Sequence, residues 1–392
     1  MLCRCKYLKR LNDKKNAMTP AKLVYLDNCA TTAVDPMVLR ALENACRKTW
    51  GNPSSIHLAG LEAAKLLDQC RIDIGDFLNA PAEKVYFCSG ATEALSTVIK
   101  GFNPDSFRFI TTRIEHTALL SPLQHLKKKG FDVNFLKVDS SGQIYLDELE
   151  KLIKDKPSVF FYSPINHETG SIQPVEEIYR LKQNHDLTIV TDGVQAVTRL
   201  APAEWRDFYD ITTLGAHKFY APKGTGLFAV KDKNIKLRKR RHTSRQEGGF
   251  SPGTQNMPGI AACAAAIKLL SDDELHRQKT LHSEGLKILL NEVPQIEINT
   301  PSSSTTGILN ISLMGKNTDS MEELIMALAE EQICVSRFSA CNGKIKIPSK
   351  ILTEMGFSYE RAATSLRISC GRFNNRDDYF RLARFLKKWQ NR

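Results

Sequence analysis

The sequence predicts an α/β protein built on a large domain with a mostly parallel sheet covered by helices, followed by a smaller α/β C-terminal domain. Three observations carry that expectation. Short runs rich in β-branched and aromatic residues lie at 84–88, 108–112, 158–162, 187–191, 210–214 and 226–230. Between them, at 61–78, 117–129, 146–154 and 175–184, apolar residues recur at three and four, the period of a helix with one buried face. From about residue 255 the pattern changes to long helical stretches, 260–270 and 274–290, and then to strand-like runs at 308–313 and 333–336. Alternation of the first kind implies parallel strands covered on both faces. The expected division is a large domain over 34–262 and a small domain over 263–392. Residues 18–33 join the two, and a basic arm occupies 1–17, with Met18 as an alternative start.

Composition narrows the class. Of 392 residues, 42% are hydrophobic and 25% charged, which excludes a disordered, collagenous or coiled-coil chain. The longest charge-free apolar run, 259–267, is far short of the roughly 20 residues that a membrane span needs. The net charge of +12 is concentrated. Residues 1–17 and 231–241 supply nearly all of it, whereas a dedicated nucleic-acid binder spreads basic residues along a face with interleaved aromatics, so a solvated arm and a basic surface strand are expected, with a transient contact to RNA or an acidic protein as the lesser alternative. Ten cysteines without a CxxC pair or a signal peptide fit free thiols in a reducing, cytoplasmic compartment. No metal site is expected.

Ligands of parallel α/β sheets bind beyond the carboxyl ends of the strands, so the residues just after each strand-like run are the candidates. Ser89-Gly90-Ala91-Thr92-Glu93 is a small-residue turn opening a helix, suited to an anion. Glu115-His116, Asn166-His167-Glu168, Asp192 with Gln195, and His217-Lys218 follow the other runs. Singly, each reads as a helix cap or a structural polar residue. Together they supply an anion cradle, an acid, imidazoles and a primary amine around one crevice. That is the inventory for pyridoxal 5'-phosphate, whose chemistry needs a Schiff-base lysine and an acidic partner for the ring nitrogen.

At these residues the chain resembles the cysteine desulfurases of the NifS/IscS-like group, in the class V aminotransferase family of fold-type I pyridoxal-phosphate enzymes. The resemblance runs from about Val24 to the C-terminus. It includes Leu26-Asp27-Asn28, Ala30-Thr31-Thr32, 51–57, the 89–93 turn, Glu115-His116, Asn166 with Glu168 and Gly170, and Asp192 with Gln195. It continues through His217-Lys218, 222–224, Gly253-Thr254, 339–341 and 366–373. The resemblance implies that Lys218 carries the cofactor, Asp192 meets its ring nitrogen and Gln195 its ring hydroxyl. Ala91, Thr92 and His217 would hold the phosphate, with Thr254 reaching it from a second subunit of a homodimer. His116 would stack on the ring and move protons, Asn166 and Arg367 would bind substrate, and Cys341 would take sulfur from L-cysteine as a persulfide. The implied acceptor is an iron–sulfur scaffold or a sulfur carrier, leading to cluster assembly or tRNA thiolation.

Several positions depart from the family pattern. His167 stands where a second Asn contacting the cofactor is usual, Gly215 where a phosphate-binding Ser is usual, and Gly248 and Ser251 where two arginines are usual. Cys29 replaces a common Ala or Ser near the substrate. The alternatives kept open are a selenocysteine or cystine lyase on the same fold, and a catalytically degenerate homologue that binds partners. Of the other cysteines, Cys46, Cys70, Cys88, Cys263 and Cys334 lie in apolar patterns and are expected to be buried.

Overall fold

The β-branched and aromatic runs become six strands of a seven-stranded sheet. The structure, a computed structural model, describes residues 23–239, 245–337 and 348–391. In chain order these residues form β1 (Val24–Tyr25), α1 (Pro36–Lys48), α2 (Leu58–Leu78), β2 (Val85–Cys88), α3 (Ala91–Gly101), β3 (Arg108–Thr112), α4 (Thr117–Lys128) and β4 (Val133–Leu136). Next come α5 (Leu146–Ile153), β5 (Ser158–Tyr162), α6 (Val175–Leu181), β6 (Leu187–Asp192), β7 (Ile211–Gly215), β8 (Gly226–Val230) and α7 (Met257–Lys268). The chain ends with α8 (Asp272–Glu292), β9 (Ile296–Ile298), β10 (Ile308–Leu313), α9 (Thr318–Glu330), β11 (Ile333–Cys334), α10 (Lys350–Glu354), α11 (Tyr359–Ala363), β12 (Ser365–Ser369) and α12 (Arg376–Gln390).

The large sheet has the order β2-β8-β7-β6-β5-β3-β4. The pairings from β7 through β4 are parallel, and β8 runs antiparallel to both β7 and β2. Side-chain alternation sorts its residues onto two cores. Val159, Phe161, Val190, Phe228 and Val230 pack with α3 and α4 on one face. Phe160, Tyr162, Ile189, Leu227 and Ala229 pack on the other with residues of α2 and α7. Both faces are dry, which is why these strands read as apolar runs rather than as alternating ones.

A third cluster is the small domain's core, where the antiparallel sheet β12-β10-β9 packs on α8, α9 and α12. Val24 and Leu26 belong to it, because β1 pairs in parallel with β11. The chain then crosses to the large domain, where Thr32 N–H donates to His217 O at 2.9 Å and Asp35 N–H to Tyr220 O at 3.0 Å. The expected boundary at 262/263 falls inside α7, whose residues through Ile267 pack in the large core. Cys46 is exposed rather than buried, since α1 turns only Val38 and Ala45 fully inward, and Cys88 and Cys334 are half-buried. No helix among the described residues is long and apolar enough to cross a membrane.

One close approach sets the position of α3. A Cβ on Gly226 would stand 2.5 Å from the Cα of Gly90, the residue that precedes α3. Gly226→Ala therefore drives β8 and the start of α3 apart, and overpacking of this kind costs about 1–3 kcal/mol. A urea midpoint unchanged from the parent protein would contradict this reading of the contact.

Candidate active site

The five polar clusters that follow β2, β3, β5, β6 and β7 converge at the carboxyl edge of the large sheet. They line a cavity of about 440 Å³, together with Cys29 and Ala30 from the N-terminal crossover and Arg367 from β12. Of the residues expected from the sequence, Ala91, Thr92, His116, His167, Asp192, Gln195, His217, Lys218 and Arg367 all line it.

Lys218 sits in the 3-10 turn just after β7. Its Nζ donates to Cys29 O at 2.5 Å and Ala30 O at 2.8 Å, and burial lowers its pKa from the usual lysine range. Asp192 ends β6, and burial pushes its carboxyl up to about 6. Its Oδ1 accepts from Val194 N–H at 3.2 Å, and Oδ2 has no partner among the described residues. The Gln195 Nε2 donates to Cys29 O at 3.2 Å, while its Oε1 accepts from Cys29 Sγ at 3.4 Å and Arg199 Nε at 3.1 Å.

Three imidazoles line the cavity, and burial holds each of them neutral. His116 caps α4, its Nδ1 accepting from Ala118 N–H at 3.1 Å, so the proton of the neutral ring sits on Nε2. Burial, with Lys218 and Arg367 nearby, brings its pKa down to about 4. His167 meets it edge to face, ring centroids 5.0 Å apart at 78°, and burial puts His167 well below the usual histidine value. His217 bonds Thr31 Oγ1 through Nδ1 at 3.1 Å and is also lowered to about 4, chiefly by burial.

Arg367 is 2% exposed and pairs with Asp27 Oδ1 at 2.7 Å, while Nη1 donates to His167 O at 3.0 Å. Asn166 does not reach the cavity. Its Nδ2 donates to Ile114 O at 2.8 Å and its Oδ1 accepts from Glu168 N–H, Thr169 N–H and Thr169 Oγ1, so it builds the 166–171 turn that presents His167. Thr254 lines a neighbouring cavity of about 310 Å³ that shares Ser89, Glu93 and Gly224 with the main one. Cys341 lies outside the described residues. Gly248 has φ +61°, and a Cβ there would stand 2.9 Å from the Tyr86 ring, so in this fold Tyr86 fills the space into which a longer side chain would start.

A family model for the aminotransferases of class V matches residues 24–382. The chain belongs to that family. Cysteine desulfurase IscS of Methanosarcina thermophila is 32% identical over 375 residues, covering 94% of this chain and 92% of the relative. A NifS-like protein of known structure superposes with a TM-score of 0.82 at 31% identity, covering 94% of this chain and 99% of its own. SspA, solved in complex with cysteine, is 27% identical with a TM-score of 0.77, covering 90% of this chain and 99% of its own. The α/β architecture with its mostly parallel sheet is that of the NifS-like class V proteins.

Class V membership implies pyridoxal phosphate, and the residues present fit it. The unpartnered Asp192 Oδ2 is an acceptor for a protonated ring nitrogen. The first turn of α3 follows Gly90, which offers no side-chain cap, so the N–H groups of Ala91 and Thr92 are available to an anion. Lys218 supplies the amine. Sequence reasoning missed Ser163, which lines the cavity, and Arg199, which does not line it but reaches Gln195; neither sits in a motif. Among the described residues no group of His, Cys, Asp and Glu could hold a metal ion.

Beneath the cavity, Glu115 accepts from Thr112 Oγ1 at 2.8 Å, Ser163 N–H at 3.0 Å and Ser163 Oγ at 2.5 Å, and burial pushes it up to about 7 from 4.5. The folded chain therefore holds this proton more tightly than the unfolded one. Its contribution is full below about pH 4.5 and is lost as pH rises through about 7, a change on the order of 3 kcal/mol. Glu115→Gln should flatten the fall in stability across that window, measured by urea unfolding at about pH 5 and pH 8. Parallel profiles for the two proteins would show that another group sets the dependence.

Proposed function

We propose that this chain is a cysteine desulfurase that uses pyridoxal 5'-phosphate to convert L-cysteine to L-alanine, passing the sulfur as a persulfide on Cys341 to an acceptor protein. The observation that carries the reading is the convergence of the Lys218 amine, the unpartnered Asp192 oxygen and the Arg367 guanidinium on one cavity beside the N-terminus of α3. The similarity to a cysteine desulfurase and to a protein solved in complex with cysteine supports the same activity. In this reading Lys218 carries the cofactor, Asp192 faces its ring nitrogen, and Gln195 and His167 lie beside the ring. Ala91, Thr92 and His217 hold the phosphate. Lys223, which also lines the cavity, adds a positive charge near His217.

When bound, the cofactor supplies an electron sink that makes the substrate Cα–H acidic. Lys218 takes that proton: burial favours its neutral amine, the form that can act as a base. Arg367 meets the substrate carboxylate with its planar fork. His116, neutral with its proton on Nε2, is not a competing cation. The Cys341 thiolate attacks the substrate sulfur, the C–S bond breaks, and its electron pair stays with the three-carbon fragment that is protonated to alanine. The sulfur acceptor is an iron–sulfur scaffold or a carrier for tRNA thiolation, and the enzyme works in the cytoplasm.

The active unit in this reading is a homodimer. Residues 34–61 expose Met37, Leu39, Trp50, Ile56, Leu58 and Leu61, with Ile56 92% accessible, an apolar surface of the kind that subunit interfaces cover. Thr254 then contributes to the phosphate site of the second subunit.

Three outcomes are expected. Incubation with cysteine and reductant should give sulfide and alanine in equal amounts, and Lys218→Ala should lower alanine formation by about 10²- to 10⁴-fold or more. Cys341→Ser should keep the visible absorption of the bound cofactor yet carry no added sulfur by mass spectrometry; a persulfide on Cys29 would move the nucleophile there. Trp50→Glu with Ile56→Glu should shift sedimentation from dimer to monomer, and an unshifted dimer would place the interface elsewhere.

A further inference from the structure

Arg199 follows the turn that begins with Gln195, and it is 4% exposed. No carboxylate among the described residues lies within ion-pairing distance of it. Its guanidinium is held instead by oxygen atoms of neutral groups: Nη1 donates to Thr306 O at 2.7 Å, Nη2 to Cys370 O at 3.5 Å, and Nε to Gln195 Oε1 at 3.1 Å. Two of the three acceptors come from the small domain, and the third is a side chain of the cavity wall. Burying a cation without a counter-ion is costly, and a solvated residue in its place would avoid that cost. What the buried cation secures is the orientation of one amide.

An amide side chain has an acceptor end and a donor end, and its partners decide which end faces which way. Gln195 Oε1 receives two donors, Arg199 Nε and Cys29 Sγ, and Nε2 gives one of its two hydrogens to Cys29 O. Turning the amide over would set Nε2 against the Arg199 N–H and Oε1 against the Cys29 carbonyl, two like-with-like contacts. The oxygen is thus held away on Arg199, and the hydrogen left to Gln195 for the cavity is an N–H.

We infer that Arg199 is a positioning residue that locks Gln195 with a hydrogen-bond donor toward the cavity, so that the site selects a ligand ring bearing an oxyanion at that point. The inference rests on the cavity being a pyridoxal-phosphate site, where the ring oxygen is the one matched by that donor. Arg199 acts only through Gln195 and does not touch the ligand. Because its other bonds go to Thr306 and Cys370, the same guanidinium ties the cavity wall to the small domain.

The test compares two probes on the full-length apoprotein: pyridoxal phosphate and its analogue lacking the ring hydroxyl, each titrated by equilibrium dialysis. The parent protein should prefer the hydroxylated ring by about ten- to a hundredfold, the range for a hydrogen bond to a charged group. In Arg199→Met that preference should collapse toward parity while the analogue still binds as in the parent. Arg199→Lys keeps the charge but cannot reach Gln195 and both carbonyls together, so its preference should fall between the two. A folded Arg199→Met protein with the parent's preference would overturn the inference, and so would equal weakening of both probes, the mark of a structural role alone. Should Arg199→Met fail to fold, an undiminished preference in Arg199→Lys overturns it. A parent protein that binds neither probe would overturn the cofactor-site reading as well, whereas one that binds both equally would overturn only the role of Gln195 and Arg199.

Discussion

Parallel pairing of β5, β6 and β7 is the constraint on which the rest of the structure depends. Parallel strands send all their carboxyl ends to one edge, and the register of β6 on β7 sets Asp192 beside Thr213, with Lys218 a few residues further along the same edge. A slip of one residue would exchange the two faces of β6 and move Val190 and Ile189 into each other's cores, so packing on both sides fixes the register. The acid and the amine are therefore located by hydrophobic packing, not by their attraction for one another. Antiparallel β8 then brings Gly226 under Gly90, which seats the first turn of α3 at the same edge.

Burial pushes the titratable groups of this edge toward neutrality. Lys218 and the three imidazoles are lowered, and Asp192 and Glu115 are raised. Such a wall favours a ligand that brings its own charges and meets them with complementary ones. The phosphate, ring nitrogen and carboxylate of the proposed cofactor and substrate are groups of that kind. Arg367 keeps its charge in the interior because Asp27 faces its guanidinium.

Most of the α/β pattern was legible in the sequence because the central strands are buried on both faces and their composition says so. The clusters after β2, β3, β5, β6 and β7 could be read as one site from strand-end logic alone. What escaped has physical reasons. β4 and β9 are short strands at sheet edges, and α1 buries little of its apolar surface, so Cys46 looked interior and is not. Asn166 lies within a matched motif, yet its amide oxygen is taken by its own turn and its nitrogen bonds the Ile114 carbonyl. Arg199 carries no motif signal, because its partners are backbone carbonyls more than a hundred residues away and a single glutamine four residues before it.

The N-terminal crossover adds a consequence for biosynthesis. β1 is made early, but its partner β11 lies about 310 residues further along the chain, and Arg367, which pairs with Asp27, comes later still. At about 5–20 residues per second, the ribosome needs roughly 15–60 s to deliver β11 after β1 has been synthesised. Throughout that interval the segment bearing Cys29 and Ala30, whose carbonyls hold the Lys218 amine, has no strand to pair with. The sheet of the large domain can form meanwhile, but the wall of the cavity closes only when β11 and β12 reach β1. A nascent chain of this protein is thus without a finished catalytic chamber until both of those strands have been synthesised.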